Sequence, residues 1–479
     1  MIRKLLLFPL LLIYSALEAQ QVSISRFLSD SSIQHASVSL CIIDANTGEI
    51  IAEHESRKSL SQASVMKLIT SAAALEILGP DYTFKTIIGY TGEINRKHGI
   101  LNGDIIIKGG GDPALASENF PDHYINIFNQ WVEDINNIGI RRINGGVITD
   151  DSYYDYQPVP PGWNWEDIGN YYGAGVYGLS IFDNTIKIHF KTGEEGSVPV
   201  ITGIFPEESG MELVNYLTAS GTSDQGYVFS SPYSQSGWIA GTIPVNREDF
   251  VLKASAQDPP LLAARILSDR LSEAGIKVRN EPTTSRIFPL TDGDNLKHIS
   301  TTVSPPLSAI IEVLNHESVN LYAEHLLKEL GKVARGDGSI TSGKMVVNEF
   351  LDTIGVEKQG MFIDDGSGLS PQDAINSRGL VTVLYYMRNN GRYFDDYLRS
   401  LPEAGKEGTL KSYFRNEVFE NRLKAKSGSM TRVRSYAGYF ETYSGREMIF
   451  SIIVDNFTGP SGMVVSGIEE IIKEYITYW

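Results

Sequence analysis

Apolar and polar positions alternate over "ASVSLCIIDANTGEIIAEH", residues 36–54, which predicts two strands around a turn at Asn46–Gly48. The next run, "ASVMKLITSAAALEIL", is almost continuously apolar. It predicts a buried helix to Leu78, ended by Gly79 and Pro80. From Thr83 to about Leu290 the texture changes. Strand-length runs such as "DIIIKG", "GGVITD", "TIKIHF" and "SVPVITGIF" are separated by Gly-, Pro- and Ser-rich turns, and only Ile125–Asn137 and Pro260–Ala274 have helical periodicity. Helices then return in "NHESVNLYAEHLLKELG", "SGKMVVNEFLDTIG" and "SRGLVTVLYYMRNN". They are followed by the strands "SYAGYFET" and "MIFSIIVDNF" and a last helix inside "SGMVVSGIEEIIKEYITYW". The closing strands are placed to join the opening ones in a single sheet. The pattern predicts a mixed α+β chain whose middle third, mostly β, is inserted into a domain of helices and strands. No internal repeat or low-complexity tract is visible.

A length of 479 residues, with 42% hydrophobic and 21% charged residues, describes a folded chain of two or three domains. The formal net charge of -17 would repel nucleic acid, and no Lys/Arg-rich tract offsets it. The first residues, "MIRKLLLFPLLLIYSALEAQ", combine Arg3 and Lys4, a short apolar run and small residues before Gln20. This predicts a secretory signal over residues 1–19, cleaved after Ala19. The run is short for a bilayer span, so no stable membrane span is expected after cleavage. The one cysteine, Cys41, lies inside a strand-like run and cannot form an internal disulfide. The mature protein is expected to work outside the cytoplasm.

The candidate chemistry begins at Ser64 and Lys67, one helical turn apart at the front of the buried run. A serine hydroxyl is a poor nucleophile until a base takes its proton. A lysine can be that base if burial or a second cation lowers its pKa. Taken alone, the pair also reads as a capping serine and a snorkelling lysine. Two later segments change the picture: Ser318-Val319-Asn320 before a helix, and Lys426-Ser427-Gly428 leading into a strand. In order, S-x-x-K, S-x-N and K-[ST]-G resemble the motif set of penicillin-binding proteins and serine β-lactamases. The segments "ASVMKLITSAAALEILGPDYTFKT", "LNGDIIIKGGGDPAL", "GGVITDDSYYD", "PPGWNWEDIG", "IDDGSGLSP" and "LKAKSGSM" are similar to those of the D-alanyl-D-alanine carboxypeptidase/endopeptidase family. These are the low-molecular-mass class C penicillin-binding proteins, peptidase family S13. Members place extra domains between the first two motifs, which agrees with the insert read from texture.

The resemblance implies a multidomain α+β/α/β fold. A transpeptidase domain like that of penicillin-binding proteins and serine β-lactamases, an antiparallel sheet flanked by helices, carries inserted β-rich domains. Residues 20–82 and 291–479 would form the discontinuous catalytic domain, and 83–290 the insert, as two nested domains. It implies a periplasmic serine D,D-peptidase without metal or cofactor. The enzyme would act on peptidoglycan stem peptides as carboxypeptidase, cross-link endopeptidase or both, with β-lactam antibiotics as covalent inhibitors. Ser64 would be the nucleophile and Lys67 the acylation base. Ser318 would relay protons, and Asn320 would bind the substrate amide or hold Lys67. Lys426 would attract the terminal carboxylate and act on Lys67 by like-charge repulsion. Ser427 stands where the family usually has Thr, and its hydroxyl would bond the carboxylate. Gly428 would leave room for substrate, and the N–H groups of Ser64 and Ser429 would form an oxyanion hole. Asp151 and Asp155, with Asp150, are candidates for holding the free amine of the stem peptide.

Three features are less defined. "DGSGLS" is followed by Pro371 where many members have Arg, and Arg378 is a candidate substitute; the carboxylates Asp364 and Asp365 read as loop chemistry. Trp163 and Trp165 fit packing better than sugar stacking. "IKGGGDPAL" lacks the ending of a phosphate loop, and the histidines lack metal-site spacing. A β-lactamase or esterase on the same motifs is the alternative enzyme; an inactive cell-wall-binding protein is the alternative outside enzymes.

Overall fold

The computed structural model describes residues 23–290 and 295–479; the signal expected at 1–19 lies outside them. The chain divides into two compact units, one of Met1–Pro80, Ile311–Val319 and Lys344–Trp479, the other of Asp81–Ile310 and Asn320–Gly343.

The first unit is built on a five-stranded sheet. Its strand order is Leu423–Met430, Val433–Glu441, Glu447–Asp455, Ser37–Asp44, Ile50–His54. Every neighbouring pair is antiparallel, and Leu40 lies opposite Ile452, so the closing strands do join the opening ones. Period-2 alternation sorts the side chains. Val38, Leu40, Ile42, Phe450, Ile452 and Val454 point into one core with the last helix, Ser461–Tyr478. That helix offers Val464, Ile468, Ile471, Ile472 and Tyr475, an i, i+4, i+7 stripe. The alternate residues face the helix Ser377–Asn389. There the Ser377 N–H donates to Ser39 Oγ at 3.1 Å, and the Ser377 hydroxyl donates to the Ser39 carbonyl at 2.8 Å. Asn376 caps this helix by accepting from the Gly379 N–H at 2.8 Å.

The helix Lys67–Leu78 is buried at every position from Lys67 to Glu76, as its nearly continuous apolar run requires, and stops at Gly79 with φ +87°. It is preceded by one 3-10 turn, Ala63–Met66, which carries Ser64.

Among the described residues the second unit contains four small sheets. The largest runs Thr283–Thr284, Val147–Asp150, Ile105–Lys108, Lys85–Tyr90, Lys297–Val303. This differs from the boundary drawn at residue 290. Lys297–Val303 pairs antiparallel with Lys85–Tyr90, and the helix Asn320–Arg335 also belongs to this unit. An amphipathic helix shows that it has a partner face but not which unit supplies the partner, and texture cannot distinguish the two. Trp163 is buried, whereas Trp165 is about half exposed at 49%. Among the described residues no helix is long and apolar enough to cross a membrane.

Candidate active site

Ser64, Lys67, Ser318 and Lys426 all lie in the first unit. Ser64 is partly accessible; Lys67 and Lys426 are fully buried. The helix turn predicted from the S-x-x-K spacing brings Lys67 Nζ to Ser64 Oγ, to which it donates at 3.0 Å. A second Lys67 N–H donates to the Ser367 carbonyl at 2.8 Å. Lys426 Nζ donates to Ser318 Oγ at 2.9 Å and to the Ser427 carbonyl at 2.7 Å.

Burial, and after it the charge of Lys67, holds Lys426 well below the ordinary lysine value. Two buried ammonium groups in one unit resist carrying charge together. A proton on one therefore favours a neutral amine on the other, and a neutral amine 3.0 Å from a serine hydroxyl can receive its proton.

Backbone geometry is unusual at three places. Ala63, immediately before the nucleophile candidate, has φ +52°, and Ser318 has φ +60°. Left-handed backbone at residues with a Cβ costs on the order of 1–3 kcal/mol and collects at functional sites. Gly428 is an extended strand residue pressed against the turn before the helix. A Cβ there would lie 2.2 Å from Ser435 Oγ, 2.6 Å from the Gln62 carbonyl oxygen and 3.0 Å from Ser64 N. The Leu423–Met430 strand thus lies with its backbone against the Ser64 N–H, and Ser429 is the next residue along it. Ser427, on the opposite face of the strand from Lys426, shares a 2.7 Å hydrogen bond with the hydroxyl of Thr409.

The remaining candidates belong to the second unit or to other parts of the first. The Asn320 side-chain amide donates to the Tyr172 carbonyl at 2.8 Å within the second unit. Asp151 is buried in that unit and accepts from Ser285 Oγ at 3.1 Å; burial pushes its carboxyl up to about 6. Asp155 pairs with the buried Lys328 at 2.6 Å. Both carboxylates have a partner inside their own unit. Arg378 lies beside Cys41 Sγ (3.9 Å) and Glu53 (4.0 Å), on the two strands at the far edge of the sheet from Lys426.

Sequence reasoning passed over three residues that touch these groups, Ser367, Thr409 and Ser435. For Ser367 a signal existed, because Asp followed by Gly and Ser favours a side chain that ties its own loop.

The profile of the D-Ala-D-Ala carboxypeptidase 3 (S13) family matches residues 20–470. The chain belongs to that family. A D-alanyl-D-alanine carboxypeptidase from Actinomadura sp. (strain R39) is 26% identical over 455 residues, covering 92% of this chain and 82% of the relative. The crystal structure of penicillin binding protein 4 (dacB) from Haemophilus influenzae superposes with a TM-score of 0.82 at 20% identity. That match covers 95% of this chain and 99% of that one. A second structure of the same protein, complexed with a β-lactam, gives 0.76, again at 20% identity, with coverage of 93% and 97%. At this identity the structural matches establish the fold alone, that of penicillin binding protein 4.

Proposed function

We propose that this family member is an exported serine D,D-peptidase that cleaves D-Ala–X bonds of peptidoglycan stem peptides through an acyl-enzyme at Ser64. The observation that carries this reading is the buried Lys67 amine at 3.0 Å from a partly accessible Ser64 hydroxyl. In the same unit a second buried lysine is bound to Ser318 at 2.9 Å. As Ser64 Oγ bonds to the scissile carbonyl carbon, its proton passes to Lys67. The carbonyl oxygen takes the negative charge and is met by the N–H groups of Ser64 and Ser429. On collapse the C–N bond breaks and the leaving nitrogen takes a proton through Ser318, which Lys426 holds in place. Water then attacks the ester and restores Ser64. Lys426 and Ser427 draw the terminal carboxylate of the substrate, and Asn320, two residues beyond Ser318 in the chain, supplies the amide of the motif.

The same acylation step serves removal of terminal D-alanine and cutting of cross-links, and β-lactams, as mimics of the acyl-D-Ala unit, acylate Ser64. The expected secretory signal agrees with a periplasmic location. Digestion of defined muropeptides, read by mass spectrometry, is the test. Loss of one alanine or conversion of dimers to monomers is expected from the wild type, and neither product from Ser64→Ala. Undiminished labelling of Ser64→Ala by a fluorescent penicillin overturns the assignment. Rapid turnover of penicillin would favour the β-lactamase alternative instead.

A further inference from the structure

We propose that Asp365 is a positioning residue for Lys67, acting through the backbone of the loop 364–370. This rests on the peptidase reading and adds to it the device that aims the base. Asp365 is completely buried, and its carboxylate binds its own loop. Oδ1 accepts from the Ser367 N–H at 3.0 Å and the Gly368 N–H at 2.6 Å, and Oδ2 accepts from the Ser370 N–H at 2.7 Å. Three backbone donors gathered on one carboxylate leave the loop carbonyls turned outward, away from it. Two of those carbonyls meet the nucleophile helix. The Ser367 carbonyl accepts from Lys67 Nζ at 2.8 Å and the Gly366 carbonyl from Thr70 Oγ1 at 2.7 Å. Lys67 and Thr70 are one turn apart on the same helix face, so the loop grips that face at successive turns.

The loop also reaches the residue before the nucleophile. Gly368 has φ +79°, and a Cβ on it would lie 2.0 Å from the Ala63 carbonyl oxygen. One carboxylate thereby sets the backbone that touches Lys67 and the Ala63–Ser64 turn together. A lysine has four side-chain torsions, and at a reacting pair a misplacement of about 1 Å costs on the order of 100-fold in rate. A fixed carbonyl acceptor at 2.8 Å removes that freedom. The neighbouring Asp364 is a built-in control. It lies in the same loop but accepts from side chains, Ser370 Oγ at 2.8 Å and Lys344 at 3.2 Å, and does not gather the backbone.

The experiment measures acylation by a chromogenic penicillin in the full-length protein. The concentration dependence separates the dissociation constant of the first complex from the acylation rate constant per titrated site. Asp365→Asn, which puts an N–H where an acceptor is needed, should lower the rate constant about 10- to 100-fold while the dissociation constant stays within about 2-fold. Asp364→Asn should stay within about 3-fold in both. A purely structural role would reduce the number of titrated sites and leave the rate per site unchanged, and that result overturns the proposal. If Asp365→Asn does not fold, Thr70→Val and Thr70→Ser decide. The valine variant should acylate several-fold more slowly per site and the serine variant should recover the wild-type rate; equal rates in all three overturn the proposal. Ser64→Ala, run alongside, tests the peptidase reading separately. If it still acylates, that reading fails whatever Asp365 does. If it does not and Asp365→Asn acylates normally, only the positioning role fails.

Discussion

The contact between Gly428 and the nucleophile turn makes a sharp prediction about Gly428→Ala. The added methyl would sit 2.2 Å from Ser435 Oγ, about 1 Å inside an ordinary carbon–oxygen contact. Ser435 cannot simply turn away, because its hydroxyl donates to the Gln62 carbonyl at 2.5 Å and is buried. Even if it did, the Gln62 carbonyl oxygen itself lies 2.6 Å from the new carbon and is backbone. The strand must therefore move by roughly 1 Å from the 62–64 turn. Such overpacking costs about 1–3 kcal/mol, which a chain of this size tolerates. Under the proposed function catalysis is affected more, because the same movement separates the Ser64 N–H from the Ser429 N–H, the two donors proposed for the oxyanion. Loss of one oxyanion donor costs about 100- to 1000-fold. Gly428→Ala is thus expected to fold, with a lowered melting temperature, and to acylate with penicillin at least about 100-fold more slowly. Adding Ser435→Gly relieves only the nearer clash and should restore only part of the rate. Acylation by Gly428→Ala within about 3-fold of wild type would refute the argument that the strand and turn are held at one separation.

Lys426→Met should raise KM for substrates ending in a free carboxylate and slow acylation, while Lys424→Met, two residues earlier and less buried, should change either by less than about 3-fold. Because Lys426 titrates below the ordinary lysine value, raising the pH removes its charge early. KM for carboxylate-bearing substrates should therefore climb well below pH 10.5 in steady-state assays, and this climb should vanish in Lys426→Met. Asp155→Ala leaves the buried Lys328 ammonium without its 2.6 Å partner and should cost about 3 kcal/mol in urea unfolding, whereas Lys328→Met should cost much less. Burial pushes Asp112 up to about 6 from an unfolded value near 3.8. Its stabilising contribution is fully present below the lower value and is lost as pH rises through the higher one. Asp112→Asn should consequently gain about 2 kcal/mol relative to wild type between pH 4.5 and 7.5, measured by urea unfolding at the two pH values.

How far the sequence discloses this site depends on how each contact is encoded. Ser64 and Lys67 are legible directly, since a spacing of three on a helix is a distance in space. Ser318 and Lys426 are legible only as members of an ordered motif set; nothing in their own segments says that a 2.9 Å hydrogen bond joins them across 108 positions. Period-2 alternation places Lys424 and Lys426 on one face of their strand, but it cannot say that one is sealed and the other only partly covered. Asp151, Asp155 and Arg378 show a different limit. A carboxylate-rich or basic stretch looks available until its partners are known, and here Ser285, Lys328 and the far edge of the sheet claim them. The same limit applies to the Asn320–Arg335 helix, whose periodicity is clear and whose unit is not. Asp365 is the instructive middle case: its loop chemistry is written locally in D-G-S-G, but its consequence, a carbonyl aimed at Lys67, spans 300 positions. The chemistry of this protein is therefore readable where function repeats a motif. It is hidden where function runs through backbone groups, because a carbonyl has no residue type to announce it.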